Sequence, residues 1–241
     1  AEPVLASGGC IVPPEGYFKK IYDVCKKNEI IFIADEVVTG FGRLGHFFSS
    51  EQVFGVVPDI ITCAKGITSG YLPLGAVLFS DKLIGDLKHD SSLFFHGYTY
   101  SGHPACCAAA LKNIEILKRD KILEHVREIE PYFFDKLNTL YELPIVGDIR
   151  GKGLMAGIEC VINKNSKEAL VLDQAIGSRI DEESIKLGLI IRPLYHICVL
   201  SPALIITKKQ IDDLTEKLYQ AISNTIDQLQ NEGLWSDQKW Y

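Results

Sequence analysis

Chemistry in this chain is concentrated at two residues, Asp35 and Lys65, each placed at the end of an apolar run. The first run, Ile30-Ile31-Phe32-Ile33-Ala34, leads into Asp35-Glu36 and then a glycine-loosened loop, Gly40-Phe41-Gly42-Arg43. The second, Ile60-Ile61-Thr62-Cys63-Ala64, leads into Lys65-Gly66. Both runs read as buried strands of a parallel sheet. In open α/β sheets ligands bind outside the carboxyl ends of the strands, so both side chains are expected to face one crevice. A lysine able to form a Schiff base, together with an acid for a pyridinium nitrogen, is the pairing that pyridoxal 5'-phosphate (PLP) requires.

Each residue also has an ordinary reading. A single Ala-Lys-Gly is commonly a surface turn. An acid at a strand end can cap a neighbouring loop or helix. Val37 can be a plain core valine. Thr99, in Gly97-Tyr98-Thr99-Tyr100, can donate its hydroxyl to a phosphate or simply serve the turn before Ser101-Gly102. Arg192 ends an apolar strand, where a guanidinium suits two-point binding of a carboxylate or a structural ion pair with a local acid. Glu36 reads as a supporting, structural acid.

One motif competes. Gly40-Phe41-Gly42-Arg43-Leu44-Gly45 spells G-x-G-x-x-G, with Asp59 further on. A dinucleotide site needs those glycines to open a substantial helix. Gly55 and Pro58 stop any helix early, and Asp35-Glu36 intrudes between strand and glycines, so NAD binding is disfavoured. The histidines at 46, 96, 103, 125 and 196 show no common ligand spacing, and no metal is expected.

The elements that must position these residues alternate. A helix is expected from Pro13-Pro14-Glu15-Gly16 to about residue 28, followed by the Asp35 strand and a short helix near Ser50–Phe54. The Lys65 strand comes next, then a strand over Pro73–Phe79 and a small-residue helix from His103 to about Leu117. This alternation marks an α/β layer architecture. Composition shifts near Arg119-Asp120. Beyond it lie a charged helix over about 121–140 that Pro131 bends or divides, and strands at 145–150 and 154–160. After a solvated loop at 163–167, helices near 170–187 and 208–229 flank strands at 189–192 and 197–200. That is a small α+β domain. The expected division is 1–118 and 119–241.

Composition sets the outer bounds. The chain has 241 residues, 47% of them hydrophobic and 23% charged, with a net charge of −6. This is an ordinary soluble balance that argues against a nucleic-acid partner. Seven cysteines without regular spacing read as reduced thiols, which points to the cytoplasm. The start shows no signal-peptide pattern, and Arg192, Pro193, His196 and Pro202 interrupt the most apolar window, so no membrane span is expected. Trp235, Trp240 and Tyr241 are expected to dock onto the protein body.

In register along the chain stand Ala1-Glu2-Pro3-Val4, Asp35-Glu36-Val37, Gly40–Arg43, Ala64-Lys65-Gly66, Gly75-Ala76-Val77 and His96–Pro104. Arg150–Leu154 and Gly188–Arg192 continue the series. Over essentially its whole length the chain resembles the class III PLP-dependent aminotransferases, and among them the omega-transaminases that use pyruvate. The resemblance implies the α/β PLP-dependent transferase fold type I: part of the large domain, a mostly parallel sheet with flanking helices, plus the small C-terminal α+β domain. It implies an aminotransferase moving an amino group from an amine or omega-amino donor to pyruvate or another oxo acid through a Lys65 Schiff base. Asp35 would bind the pyridine nitrogen and Val37 would form a platform beneath the ring. Thr99, and with it Tyr98, would serve the phosphate of a neighbouring subunit's cofactor, implying a homodimer. Arg192 would receive a carboxylate. Ser7 and Leu5 stand where related ornithine- and GABA-type enzymes carry a gating glutamate and a glutamine, which favours an omega-amine or pyruvate specificity. Glu2-Pro3-Val4 matches the middle of the family's large domain, so the chain is expected to be a C-terminal portion without the phosphate-cradling loop. A non-catalytic fragment and a PLP aminomutase are the alternatives.

Overall fold

The computed structural model describes residues 1–87, 95–164 and 173–236. The solvated loop over 165–167, the beginning of the helix near residue 170, Trp240 and Tyr241 lie outside the described residues. The chain forms two compact units. One comprises Ala1–Ala6 and Val12–Val126, the other Ser7–Ile11 and Arg127–Tyr241.

In the first unit, helix α1 (Tyr17–Lys27) begins after Gly16 and carries Lys26 and Lys27 in its last turn, where cations complement the helix dipole. Its apolar side places Phe18, Ile21, Tyr22 and Cys25 against Phe32, Phe54 and Val56. Phe18 and Tyr22 both meet the Phe32 ring edge-on, at 5.4 and 5.5 Å between centroids. Strand β1 (Ile33–Asp35) pairs in parallel with β2 (Ile60–Cys63), Ile33 opposite Ile60 and Asp35 opposite Thr62. Between them lies one short helix, α2 (Ser49–Gln52).

The third strand, β3 (Ala76–Phe79), runs antiparallel to β2. The described sheet therefore has the order β1-β2-β3, with one parallel and one antiparallel pairing. The cause is the connection. Residues 64–75 hold only a 3₁₀ turn at Lys65–Thr68, too little chain to make a helical crossover back to the starting edge. Helix α3 (Asp81–Leu87) and helix α4 (Pro104–Arg119) follow, the latter with proline in its first turn, where a missing N–H costs nothing.

Helix α5 (Ile122–Asn138) contains the step between the two compact units, at Val126/Arg127. Pro131 does not divide this helix. Val126 and Ile129 before it and Phe133 and Leu137 after it are all buried, so both halves are held by their apolar side.

The second unit has a sheet of order β4-β5-β7-β6. Strand β4 (Val146–Lys152) turns at Gly153-Leu154 into β5 (Met155–Cys160), with Lys152 opposite Met155. Helix α6 (Asp173–Lys186) precedes β6 (Arg192–Leu194) and β7 (Ile197–Leu200). The apolar run from Leu189 is mostly not strand. Ile190 is 88% exposed, and pairing starts only at Arg192. Pro193 is tolerated because β6 is an edge strand. Helix α7 (Lys208–Asn231) opens with a reciprocal capping box between Thr207 and Gln210. Trp235, buried beyond its end, donates its indole N–H to the carbonyl of Ile162 at 3.2 Å.

Candidate active site

The parallel pairing of β1 with β2 decides where Asp35 and Lys65 lie. Asp35 is the last residue of β1 and opposes Thr62, and Lys65 follows Thr62 by three residues. Both therefore stand at the carboxyl edge of the same strand pair, where α/β sheets bind ligands.

The loop behind Asp35 is organised by its neighbour. The Glu36 side chain is fully buried. Its Oε2 accepts the hydroxyls of Thr39 at 2.6 Å and Ser49 at 2.7 Å, and its Oε1 accepts the N–H of Ser50 at 2.6 Å. The Glu36 N–H donates to the Thr62 carbonyl at 2.8 Å, fixing the turn to β2. These donors stabilise an acid that would otherwise be costly to bury. Asp35 is left half-buried, its Oδ1 accepting the N–H of Val37 at 3.0 Å. Val37 thus touches Asp35 through its backbone.

The glycine motif makes a different structure from a nucleotide loop. Phe41 N–H donates to the Phe47 carbonyl and Gly42 N–H to that of His46, closing a compact loop. The helix that follows is only the four residues of α2, so the requirement for a dinucleotide fingerprint is unmet.

Lys65 is exposed and its backbone is left-handed, with φ at 42°. Among the described residues no hydrogen bond or ion pair holds its ammonium group. It lines an open recess with Thr68, Tyr71, Leu72 and Pro73, and the Thr68 hydroxyl donates to the Leu72 carbonyl at 2.6 Å. The backbone passes close to the glycine loop. A Cβ on Gly66 would lie 2.9 Å from Phe41 Cβ and 3.2 Å from the Gly40 carbonyl oxygen.

Tyr98 and Thr99 lie on a separate exposed turn that enters α4, closed by Ser101 N–H on the Tyr98 carbonyl and by Tyr98 N–H on Ser101 Oγ, both at 2.9 Å. No hydrogen bond joins them to Asp35 or Lys65 among the described residues.

Arg192, in the second unit, starts β6 with an exposed side chain. No acid pairs with it among the described residues. Arg150 behaves oppositely, bonded to Asp148, Glu159 and the Gly9 carbonyl, and is structural. The described residues contain no group of three or more His, Cys, Asp or Glu that could hold a metal ion. No helix among them is long and apolar enough to cross a membrane.

The donor set fits PLP. An ammonium group without a partner among the described residues and a half-buried carboxylate with one backbone donor lie at the ends of paired strands, the chemistry that an aldehyde and a ring nitrogen require. Asn113 is the residue near this site that sequence reasoning misses. Its side chain reaches the Lys65 turn from α4, across 46 to 47 positions in the chain, and no local pattern marks it.

Comparison with known proteins gives a consistent answer. Residues 1–222 match the family described as Aminotransferase class-III. A putrescine–pyruvate aminotransferase of Pseudomonas aeruginosa is 42% identical over 93% of the chain and 49% of its own length. A probable mitochondrial gamma-aminobutyrate transaminase 3 of Oryza sativa subsp. indica is 40% identical, over 93% of the chain and 44% of its own length. The crystal structure of an (S)-enantioselective omega-transaminase from Thermomicrobium roseum aligns with a TM-score of 0.90 at 43% identity, covering 94% of the chain and 51% of that structure. A PLP-bound amine transaminase from an uncultivated Pseudomonas species aligns with a TM-score of 0.89 at 38% identity, over 93% and 51%. The chain spans about half the length of the curated relatives it matches.

Proposed function

Because the chain belongs to the class-III aminotransferases, a family that works with PLP, we propose that it serves amino-group transfer from an amine or omega-amino donor to pyruvate or another oxo acid. The observation that carries this reading is the Lys65 ammonium, without a partner among the described residues, at the same strand-pair edge as Asp35. The relatives' printed substrates, putrescine with pyruvate and gamma-aminobutyrate, support the donor and acceptor classes.

When bound, PLP supplies a carbonyl carbon that takes up a primary amine and a ring that accepts the electrons left when a substrate proton departs. Lys65 would hold the cofactor through its amine and, as a free amine, would carry a proton to and from the substrate carbon. Asp35 would hold the ring nitrogen and keep it protonated, the effect an adjacent carboxylate has on any cation. Val37 lies beside Asp35 as the apolar platform. Thr99, assisted by Tyr98, would donate to the phosphate of a cofactor held by a second copy, which makes a homodimer the expected working form. Arg192 grips the carboxylate of the oxo acid through two parallel N–H bonds. The reading places the enzyme in the cytoplasm.

The test is chemical trapping in the complete polypeptide that carries this sequence. Incubation with PLP, borohydride reduction and peptide mapping are expected to put the cofactor on Lys65, and pyruvate is expected to be required for turnover of an amine. Label on another lysine, or turnover without any oxo acid, defeats the assignment, the latter in favour of an isomerisation.

A further inference from the structure

Lys65 occupies a backbone conformation that a lysine seldom adopts. Its φ of 42° lies in the left-handed region, where a side chain crowds the backbone. Such a residue persists only when its surroundings over-determine it, and strain of this kind clusters at functional positions. Inside the turn, Ile67 N–H donates to the Ala64 carbonyl at 3.0 Å, Ser69 N–H to that of Gly66 at 3.1 Å, and Gly70 N–H to that of Lys65 at 3.2 Å. Ile67 and Thr68 are buried, but Lys65, Ser69 and Gly70 are exposed, and such bonds at an exposed edge are not a rigid support by themselves. Two further contacts come from outside. Gly66 lies against Phe41 and Gly40 with no space for a side chain. From α4, Asn113 Nδ2 donates to the Gly66 carbonyl at 2.9 Å and to the Ile67 carbonyl at 3.1 Å.

The geometry points to Asn113 as a positioning residue for Lys65: one amide group on α4 clamps two successive carbonyls of the turn and so holds the lysine in its strained, outward-facing conformation. The reading rests on Lys65 being the cofactor anchor. Only a donor with two hydrogens on one atom satisfies both carbonyls. Aspartate has the same shape, but its carboxylate would face two carbonyl oxygens. Alanine removes the clamp and is a better helix former, so α4 is kept. Glutamine retains the donor on a longer arm. Asn113 touches neither substrate nor cofactor in this proposal and acts only through the turn.

The experiment compares Asn113→Asp, Asn113→Ala and Asn113→Gln with the wild type in the complete polypeptide. Amide hydrogen exchange is measured first. In the Asp and Ala variants the amides of Ser69 and Gly70 are expected to exchange about tenfold faster, the scale of one lost hydrogen bond, with amides of β2 and of α4 unchanged. A merely structural role would move those reference amides as well. Next, trapping by PLP and borohydride at Lys65 is expected to slow about tenfold in step with exchange, and Asn113→Gln to recover part of both. If the Asp variant fails to fold, the Ala variant carries the comparison. Exchange at Ser69 and Gly70 within about twofold of wild type in the folded variants overturns the clamp. Wild-type label on a different lysine instead overturns the anchor reading, and with it the role given to Asn113.

Discussion

The two sheets are protected in opposite ways. On β5, Met155, Ala156, Ile158 and Cys160 are all buried. Successive residues point to opposite faces, so both faces of that strand are covered. In the first unit, residues paired across the strands share a face. The face with Ile33, Ile60 and Phe79 in one row and Asp35, Thr62 and Val77 in the next has no buried member, and Ile33 is 44% and Val77 52% exposed. Apolar burial organises the second unit. The first has a smaller apolar cluster around Phe18, Phe32 and Val56 and adds local polar pins, Glu36 on its loop, Asp59 across its elements and Asn113 on the turn of the proposed Lys65 anchor. On this reading the proposed cofactor anchor lies apart from the most heavily buried sheet of the chain.

That contrast is open to attack, and Lys65→Ala probes it most strongly. It is expected to lower amine-to-pyruvate transfer by roughly a thousandfold or more while shifting unfolding by less than about 0.5 kcal/mol. A parallel loss of stability by urea titration would show that the two properties are not separate. Second in size, Phe133→Ala in the second unit is expected to cost about 3–5 kcal/mol, against under about 1 kcal/mol for Ile33→Ala on the open face. Equal costs in the same titration would erase the distinction between the sheets.

Asp59 sharpens the comparison at the next level. Its carboxylate accepts from Lys26 Nζ at 2.5 Å and from Phe32 N–H at 2.9 Å, joining α1 to the start of both strands. Burial pushes this carboxyl up, but the Lys26 ammonium and the Phe32 N–H outweigh it, and the group lies below its usual range. A depressed folded-state value adds stability above the unfolded value of about 3.9, and that contribution is lost as pH falls through the lower folded value. Asp59→Asn is expected to cost about 1–3 kcal/mol at neutral pH and to flatten this acid dependence in melts below about pH 4. An unaltered acid profile would remove Asp59 from the set of polar pins. Smallest, Thr207→Ala should cost about 1 kcal/mol by loss of the α7 cap, measured by thermal melting, without changing transfer activity. A drop in activity would mean that the second unit's helix ends matter to the chemistry.

The parts of this arrangement that sequence reveals are those written in adjacent residues. The apolar runs ending at Asp35 and at Lys65 announced two strands and their carboxyl ends, because apolar content and side-chain type are local properties, whereas their burial was not announced: Ile31 and Ile33 are exposed. The small-residue helix with its leading proline was equally plain. The parallel pairing of those two runs was equally legible, but the direction of β3 was not: it is a property of the connection, and the short turn after Lys65 sends β3 back antiparallel although it is apolar like β2. Pro131 carried a true local penalty that the buried residues on both sides of it outweigh. The run at Leu189 looked like strand because apolar content alone does not say which backbone groups find partners. At the site, Glu36 could be weighed beside Asp35, but its three donors come from Thr39, Ser49 and Ser50, brought near by the loop's path. Asn113 left no trace, since a lone amide on a helix has no periodicity to betray its target.

The seat of Trp235 has a practical consequence. The chain's two tryptophans are Trp235, buried in the second unit, and Trp240, five positions further along the sequence, while residues 1–126 contain none. Indole fluorescence is therefore a private reporter of that unit, while far-ultraviolet dichroism sums over both. Denaturation curves recorded by the two optical signals superimpose if the halves melt as one cooperative block and separate if they do not.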